Sequence, residues 1–391
     1  MARCGVCGRR SPLTASSLSL CVGCIRGAPA DLEVRIAKVH ARSRQFFHLP
    51  QEAPRGPSGI RCDLCVRQCL IPPGEVGYCA VRQNIGGRLR GGSPKQGNLS
   101  WYYDPLPTNC VADWVCPAGT GAGHPRWAYR DGPEYGYKNL AVFYQACSFN
   151  CLGCQNWHYR EVSRSGPGVS AAELAGQVDA RTACICFFGG DPSPQLPHSL
   201  ATSMLARRRA PGRVLRVCWE TNGAMHPRLL RRAMRIALES GGCIKFDLKA
   251  WNDGVHRALT GCSNRRTLEN FALAAEMARS RPDPPAVVVS TLLVPGYVDV
   301  EEVAPLARFI ASFDPGIPYS LLAFHPQLSL HDLPVTSIQH AERALAAAKE
   351  AGLTRIHLGN RHLLGEPYEL ERRSRIAGVG GQGSGSRGWS A

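Results

Sequence analysis

The sequence predicts an α/β protein in which a parallel sheet grows from repeated strand–helix units, preceded by cysteine-rich modules of zinc-ribbon type. Three observations predict it. From about residue 138, short apolar runs alternate with amphipathic helical stretches, the signature of parallel strands joined by helical crossovers. Upstream, cysteines recur in hooks with the spacing of structural metal sites. After the first apolar run, Cys147, Cys151 and Cys154 crowd into one short loop, CSFNCLGCQNW.

In chain order, Cys4, Cys7, Cys21 and Cys24 form C-x2-C-x13-C-x2-C, which predicts a zinc-ribbon-like module over residues 1–30. Two tight turns present four thiolates to one tetrahedral ion without needing a large core. Such a closed site folds the N-terminus and has no catalytic role. A helix from about Asp31 to Phe47 follows, then the Pro/Gly-rich linker LPQEAPRGPSG, which together fill 31–61. Residues 62–137 open with Cys62, Cys65, Cys69 and Cys79 in C-x2-C-x3-C-x9-C, a set able to hold zinc or a second iron–sulfur cluster, between which spacing does not decide. Cys110 and Cys116 lie in an aromatic, turn-rich segment that reads as a strand and loop packed against the mouth of the sheet; they are extra ligands, a resolving pair or buried thiols.

Seven strands are expected in 138–365, at LAVFY, ACICFF, VLRVCWE, CIKFDLK, AVVVSTLLV, YSLLAF and RIHL, with helices such as PRLLRRAMRIALES and SIQHAERALAAAKEAG between them. Sites on such sheets gather at the C-terminal ends of the strands. Residues 366–391 are basic and then Gly/Ser-rich, the composition of a disordered tail.

The three-cysteine loop carries the chemistry. A 4Fe-4S cluster normally takes four thiolates, so C-x3-C-x2-C leaves one iron open to a ligand that is not protein. The alternative is a zinc knuckle or buried thiols, but no fourth Cys or His completes a usual zinc hook beside it. The loop, with its trailing CQNW, resembles the signature of the radical S-adenosylmethionine superfamily, in the branch of the glycyl radical activating enzymes (pyruvate formate-lyase activating enzyme-like) and their AmmeMemoRadiSam-type relatives. The resemblance is good from about Leu140 to Asn360 and looser over Cys62–Gly87.

That resemblance implies a partial (β/α)6 barrel and a cofactor, S-adenosyl-L-methionine, chelated to the open iron of a cluster on Cys147, Cys151 and Cys154. It implies cofactor contacts from the strand-end turns: Gly189, Gly190, Asp191 and Pro192 in FFGGDPSPQ; Glu220, Thr221 and Asn222 in WETNG; Asp247 and Lys249 in FDLKAW; and His325 in LLAFHP. Asp191 and Glu220 stand where relatives carry glutamate and aspartate, Ser290 where activases carry arginine, and Gly153 where an aromatic residue usually flanks the adenine. The implied activity is reductive cleavage of the cofactor to a 5'-deoxyadenosyl radical that abstracts hydrogen from a protein, as the activases do, with a flavodoxin or ferredoxin as electron donor. The rival functions are radical modification of a small molecule or RNA, and an inactive zinc-ribbon and barrel scaffold.

Composition narrows the partners. The 391 residues carry 46 Lys and Arg against 30 Asp and Glu, a formal charge of +16 that suits an acidic electron donor. Arginine clusters lack the interleaved aromatics of a single-strand groove, so nucleic acid is weakly supported. The start MARCGVCGRR has no apolar signal core and no apolar run approaches the length of a membrane span, so 18 cysteines point to a reducing cytoplasm and no membrane.

Overall fold

A computed structural model describes residues 1–27, 29–166 and 168–368. The expected tail of 366–391 therefore lies mostly outside the described residues. Seven parallel strands succeed one another in chain order: Lys138–Tyr144, Thr182–Gly189, Arg216–Thr221, Ile244–Asp247, Val287–Leu293, Tyr319–Ala323 and Ile356–Gly359. All seven coincide with the apolar runs picked out in the sequence, with crossover helices such as Pro227–Ser240 and Ile338–Glu350 between them. The first parallel strand does not close onto the seventh. It pairs instead with an antiparallel strand, Gly97–Pro105, which carries a short edge strand, Gly168–Val169.

Side-chain alternation sorts the sheet into two faces. Leu140, Val142, Ile185, Phe187, Val217, Trp219, Phe246, Val289 and Leu321 pack against the helix residues Leu200, Leu230, Met234, Phe271, Leu306 and Ile310 in one continuous core. The alternate positions, Cys184, Cys186, Cys218, Glu220, Lys245, Asp247 and Ser290, face the concave side and line two adjoining cavities. Polar residues on an otherwise apolar strand such as CIKFDLK thus mark the functional face.

The N-terminal modules are docked, not appended. Ala15, Leu18, Leu20 and Ile25 join the main core. The Tyr297 hydroxyl accepts from Ala15 N at 3.0 Å and donates to Leu20 O at 2.9 Å. Arg26 pairs with Asp299 and Glu302, both at 2.8 Å. The contact needs Gly296, at φ +76°, because a Cβ there would stand 2.1 Å from Leu13 O. The first long helix spans Pro29–Gln45, ending two residues before the expected Phe47 because a turn at His48 (φ 52°) brings Leu49 N back to Arg44 O. The second cysteine module runs along the end of the third parallel strand: Val66 N donates to Ala224 O at 2.8 Å and His226 N to Leu64 O at 2.9 Å.

The segment 106–118 crosses the concave face instead of stopping at the mouth. Trp114 Nε1 donates to Ser320 Oγ at 3.1 Å and its ring stacks on His357, while Cys110 reaches Lys245. Its continuation is anchored by a buried ion pair. Glu134, fully buried, accepts from Arg216 Nη1 and from Tyr129 N, each at 2.8 Å, and also meets Arg216 Nη2. Removing one member of such a pair strands the other charge in the interior. Glu134→Ala should therefore lower stability by about 3–5 kcal/mol, read as a shift of the urea unfolding midpoint; a loss within the range of a surface substitution would contradict the assignment.

Candidate active site at the strand ends

The three-cysteine loop leaves the first parallel strand and is held from several sides. Asn150 N donates to Thr260 O at 2.8 Å and Leu152 N to Leu259 O at 2.9 Å, so the loop pairs with the last turn of the helix Asp253–Thr260. Asn150 Nδ2 contacts His40 Nδ1 at 3.1 Å, and Arg160 Nη2 donates to Cys151 O at 2.8 Å. Cys147, Cys151 and Cys154 all line a cavity of about 240 Å³ over the strand ends.

The opposite wall consists of the turns singled out in the sequence. Gly189, Gly190, Asp191, Glu220, Thr221, Asn222, Asp247 and Lys249 all line this cavity. Pro192 is buried behind the wall, and His325 is exposed and lies outside the lining. Leu292, Val294, Leu322 and Leu330 supply an apolar side. Phe324 and Leu330 fill the space beside Gly153, where a Cβ would already approach them to 3.1 and 3.0 Å.

Asp191 ties two turns together. Its carboxylate accepts from Thr221 Oγ1 at 2.8 Å, from Asn222 N at 2.9 Å and from Ser193 N at 2.9 Å. Burial pushes its pKa up while these donors pull it back. The helix Arg265–Ala278 clamps the same turn from outside: Thr267 Oγ1 donates to Asn222 O at 2.7 Å, and Asn270 Nδ2 to Gly223 O at 2.7 Å and Met225 O at 2.8 Å. Nothing in the sequence of this helix reveals that Thr267 and Asn270 satisfy the carbonyls of that turn.

At the cavity floor, Lys249 pairs with Asp247 Oδ2, while Asp247 Oδ1 is buried and has no hydrogen-bond partner. Burial works against the Lys249 charge, but Asp247 and Cys151 together hold its pKa above the ordinary value. An orphaned carboxylate oxygen at the floor is an acceptor waiting for a polar ligand. The thiols are in the opposite condition. Burial pushes Cys147 well above the usual thiol range and Cys151 up to about 11, with Lys249 opposing the shift at Cys151. Without a cation these are protonated thiols, and a bound metal centre is what would ionise them.

Sulfur spacing separates the cysteine groups. A single zinc with bonds of about 2.3 Å sets tetrahedral sulfurs about 3.8 Å apart. The ligand atoms of Cys4, Cys7, Cys21 and Cys24 all lie within 4.8 Å of one another, with Cys7 and Cys21 at 3.8 Å. Burial opposes it, yet N–H donors from Cys21, Cys7 and Val6 draw Cys4 down to about 6, into the thiolate range at neutral pH. Among the described residues no other set of three or more ligands gathers so closely. Cys147, Cys151 and Cys154 share a wider cavity, and Cys62, Cys65, Cys69 and Cys79 line a smaller one beside Ser148, next to Cys147.

One group escaped the sequence reading. Lys245, on the concave face one strand position pair below Asp247, is buried and gives its ammonium to Glu220 Oε1 at 2.7 Å, Cys110 Sγ at 2.9 Å and Cys186 Sγ at 3.2 Å. It sits between the cavity above and a second one of about 120 Å³, lined by Cys110, Cys116, Cys184, Cys186, Cys218 and Cys243. The signal was available as the period-2 alternation of Lys245 with Asp247.

Known proteins resemble this chain over part or most of its length. The radical SAM superfamily profile matches residues 141–310. An uncharacterised protein of Methanocaldococcus jannaschii is 26% identical over 312 residues, 77% of this chain and 81% of its own length. The isethionate sulfite-lyase activating enzyme of Desulfovibrio desulfuricans is 34% identical over 138 residues, 35% of this chain and 40% of that enzyme. The pyruvate formate-lyase 1-activating enzyme of Escherichia coli is 26% identical over 199 residues, 50% of this chain and 76% of that enzyme. Among solved structures, a domain of the pyruvate-formate lyase-activating enzyme from Bacteroides vulgatus aligns with a TM-score of 0.35 at 21% identity, covering 45% of this chain and 98% of that domain.

The paired glycines make the tightest demand on the site. A Cβ on Gly189, at φ +113°, would stand 2.5 Å from Tyr144 N, and one on Gly190 would stand 2.3 Å from Ala146 O. Gly190→Ala should push the second turn away from the cysteine loop and lower stability by about 1–3 kcal/mol, measured by thermal unfolding; an unchanged melting temperature would show that the two backbones need not approach so closely.

Proposed function

With residues 141–310 forming a radical SAM domain, we propose that this enzyme holds a 4Fe-4S cluster on Cys147, Cys151 and Cys154 and S-adenosylmethionine in the adjoining cavity, and activates or modifies a protein substrate. When bound together, these groups supply a 5'-deoxyadenosyl radical able to take hydrogen from a substrate. The observation that carries this reading is the single cavity shared by the three thiols, the two strand-end turns and the Asp247–Lys249 pair.

Each part of the wall has a task the geometry suits. The backbone of Gly189 and Gly190 offers carbonyls to an amino group, Lys249 meets a carboxylate, and Asp247 Oδ1 accepts from the same ligand. Glu220, Thr221 and Asn222 line the side of the cavity that would take a ribose, with Thr221 oriented by Asp191. Leu292, Leu322 and Leu330 offer an apolar wall to the adenine, in place of the aromatic residue that Gly153 lacks. His325 is exposed and stands outside the lining. Ser290, small and buried at the floor, leaves room where a larger residue would intrude.

The other cysteine groups divide accordingly. Cys4, Cys7, Cys21 and Cys24 have the spacing of one zinc and serve to fold the N-terminal module against Tyr297. Cys62, Cys65, Cys69 and Cys79, gathered more widely, suit an auxiliary iron–sulfur cluster better than one zinc ion. The electron donor is a flavodoxin or ferredoxin, drawn to a chain of charge +16. The protein substrate is inferred from the activating enzymes among the relatives.

Cys151→Ala should abolish formation of 5'-deoxyadenosine from S-adenosylmethionine under dithionite, whereas Cys7→Ala should cost stability and about one zinc per chain but leave residual product. Complete loss of product in both variants, each well folded, would refute this division. Lys249→Ala should weaken cofactor binding with iron content unchanged, as measured by calorimetry and iron assay; loss of iron would place Lys249 in the support of the cluster instead.

A further inference from the structure

Three arginines converge on the two inner cysteine groups without a carboxylate partner. Arg44 and Arg160 are each 1% exposed and Arg67 is half-buried. Arg160 donates to Cys151 O at 2.8 Å and Ser43 Oγ at 3.2 Å, and its Nε is buried with no partner. Arg67 donates to Ser148 O at 2.7 Å and Gly261 O at 2.9 Å. Arg44 donates to Pro50 O at 2.5 Å and to Tyr78 O. Arg44 and Arg67 both lie against the Tyr78 ring, at 3.6 and 3.8 Å from its centroid, and Tyr78 adjoins Cys79. Elsewhere the chain meets buried Arg216 with Glu134, while buried Arg281 has carbonyl partners only.

Carbonyl oxygens solvate a guanidinium but do not neutralise it, and an uncompensated buried charge is strongly unfavourable. Neutral thiols cannot supply the balance. Metal–thiolate centres can: a divalent zinc or an oxidised 4Fe-4S cluster on four thiolates is a dianion, and the oxidised cluster on three thiolates is a monoanion. Geometry places two of these cations at the three-cysteine loop, with Arg160 on the Cys151 carbonyl and Arg67 on the carbonyl of Ser148, the residue after Cys147.

We propose that Arg44, Arg67 and Arg160 are the counter-ions of two anionic metal–thiolate centres, one on Cys62, Cys65, Cys69 and Cys79 and one on Cys147, Cys151 and Cys154, and that Arg67 and Arg160 set the reduction potential of the second. The inference rests on the cluster assignment made above. Reduction adds a negative charge to the cluster, so fixed cations beside it favour the reduced form and raise its potential. Arg67 and Arg160 are positioning residues in this scheme; neither touches the cofactor cavity.

The test is an anaerobic redox titration, followed by electron paramagnetic resonance, of the cluster signal that changes when S-adenosylmethionine is added. It uses the full chain and the variants Arg160→Gln, Arg160→Lys and Arg67→Gln, with iron and sulfide counted first. A wild-type protein with no such signal would overturn the cluster assignment itself. With the signal present, Arg160→Gln and Arg67→Gln should each move the potential to more negative values, and Arg160→Lys should restore most of it. If the glutamine variants instead lose the cluster while Arg160→Lys retains it, the charge is needed to hold the anionic centre, as proposed. A wild-type potential in the glutamine variants, or the same shift or loss in Arg160→Lys as in Arg160→Gln, would overturn the proposal.

Discussion

The Asp191 carboxylate holds the strand ends in register, and the rest of the site depends on it. It joins the turn after the second parallel strand to the turn after the third through Thr221, Asn222 and Ser193. The first of these turns is pressed against the cysteine loop by Gly190 N to Tyr144 O and Asp191 N to Ala146 O, at 2.9 and 2.7 Å. A buried carboxylate with three donors is stable only while all three stay in place. The side chain that the sequence offered as a neighbour of the cofactor thus acts as the brace between two walls, and leaves the backbone to face the ligand.

That brace explains why helices and modules far from the cavity matter to it. The helix Arg265–Ala278 satisfies the carbonyls of the second turn, the second cysteine module pairs with Ala224 and His226 just beyond that turn, and the helix Pro29–Gln45 reaches the cysteine loop through His40. The loop that carries three thiols buries Phe149 and Leu152, and backbone pairing with Leu259 and Thr260 and the contact from Arg160 fix its course. Described helices include none long and apolar enough to cross a membrane.

Much of this was legible in the sequence because it is periodic or punctuated. Apolar runs gave the seven strands, and Gly-Gly and Thr-Asn-Gly marked two of the turns where the site lies. The paired hooks of Cys4, Cys7, Cys21 and Cys24 meet as their spacing predicts. What could not be read were contacts between residues distant in the chain. The course of 106–118 across the concave face depends on Trp114 meeting Ser320 and His357, partners more than 200 residues away. Lys245 acquires its meaning only when Cys110, Cys186 and Glu220 surround it. His325 shows the opposite limit, since a matching position in sequence leaves its side chain exposed and outside the cavity lining.

The central claim is that one cavity joins three ionised cysteines to a sulfonium cofactor, and the most direct measurement is made on the unmodified chain. Protein purified anaerobically would be assayed for iron, zinc and sulfide per chain, then incubated with dithionite and S-adenosylmethionine. The account predicts one zinc, about eight irons if both inner groups carry 4Fe-4S clusters, and formation of 5'-deoxyadenosine. Zinc alone, with no product, would contradict it.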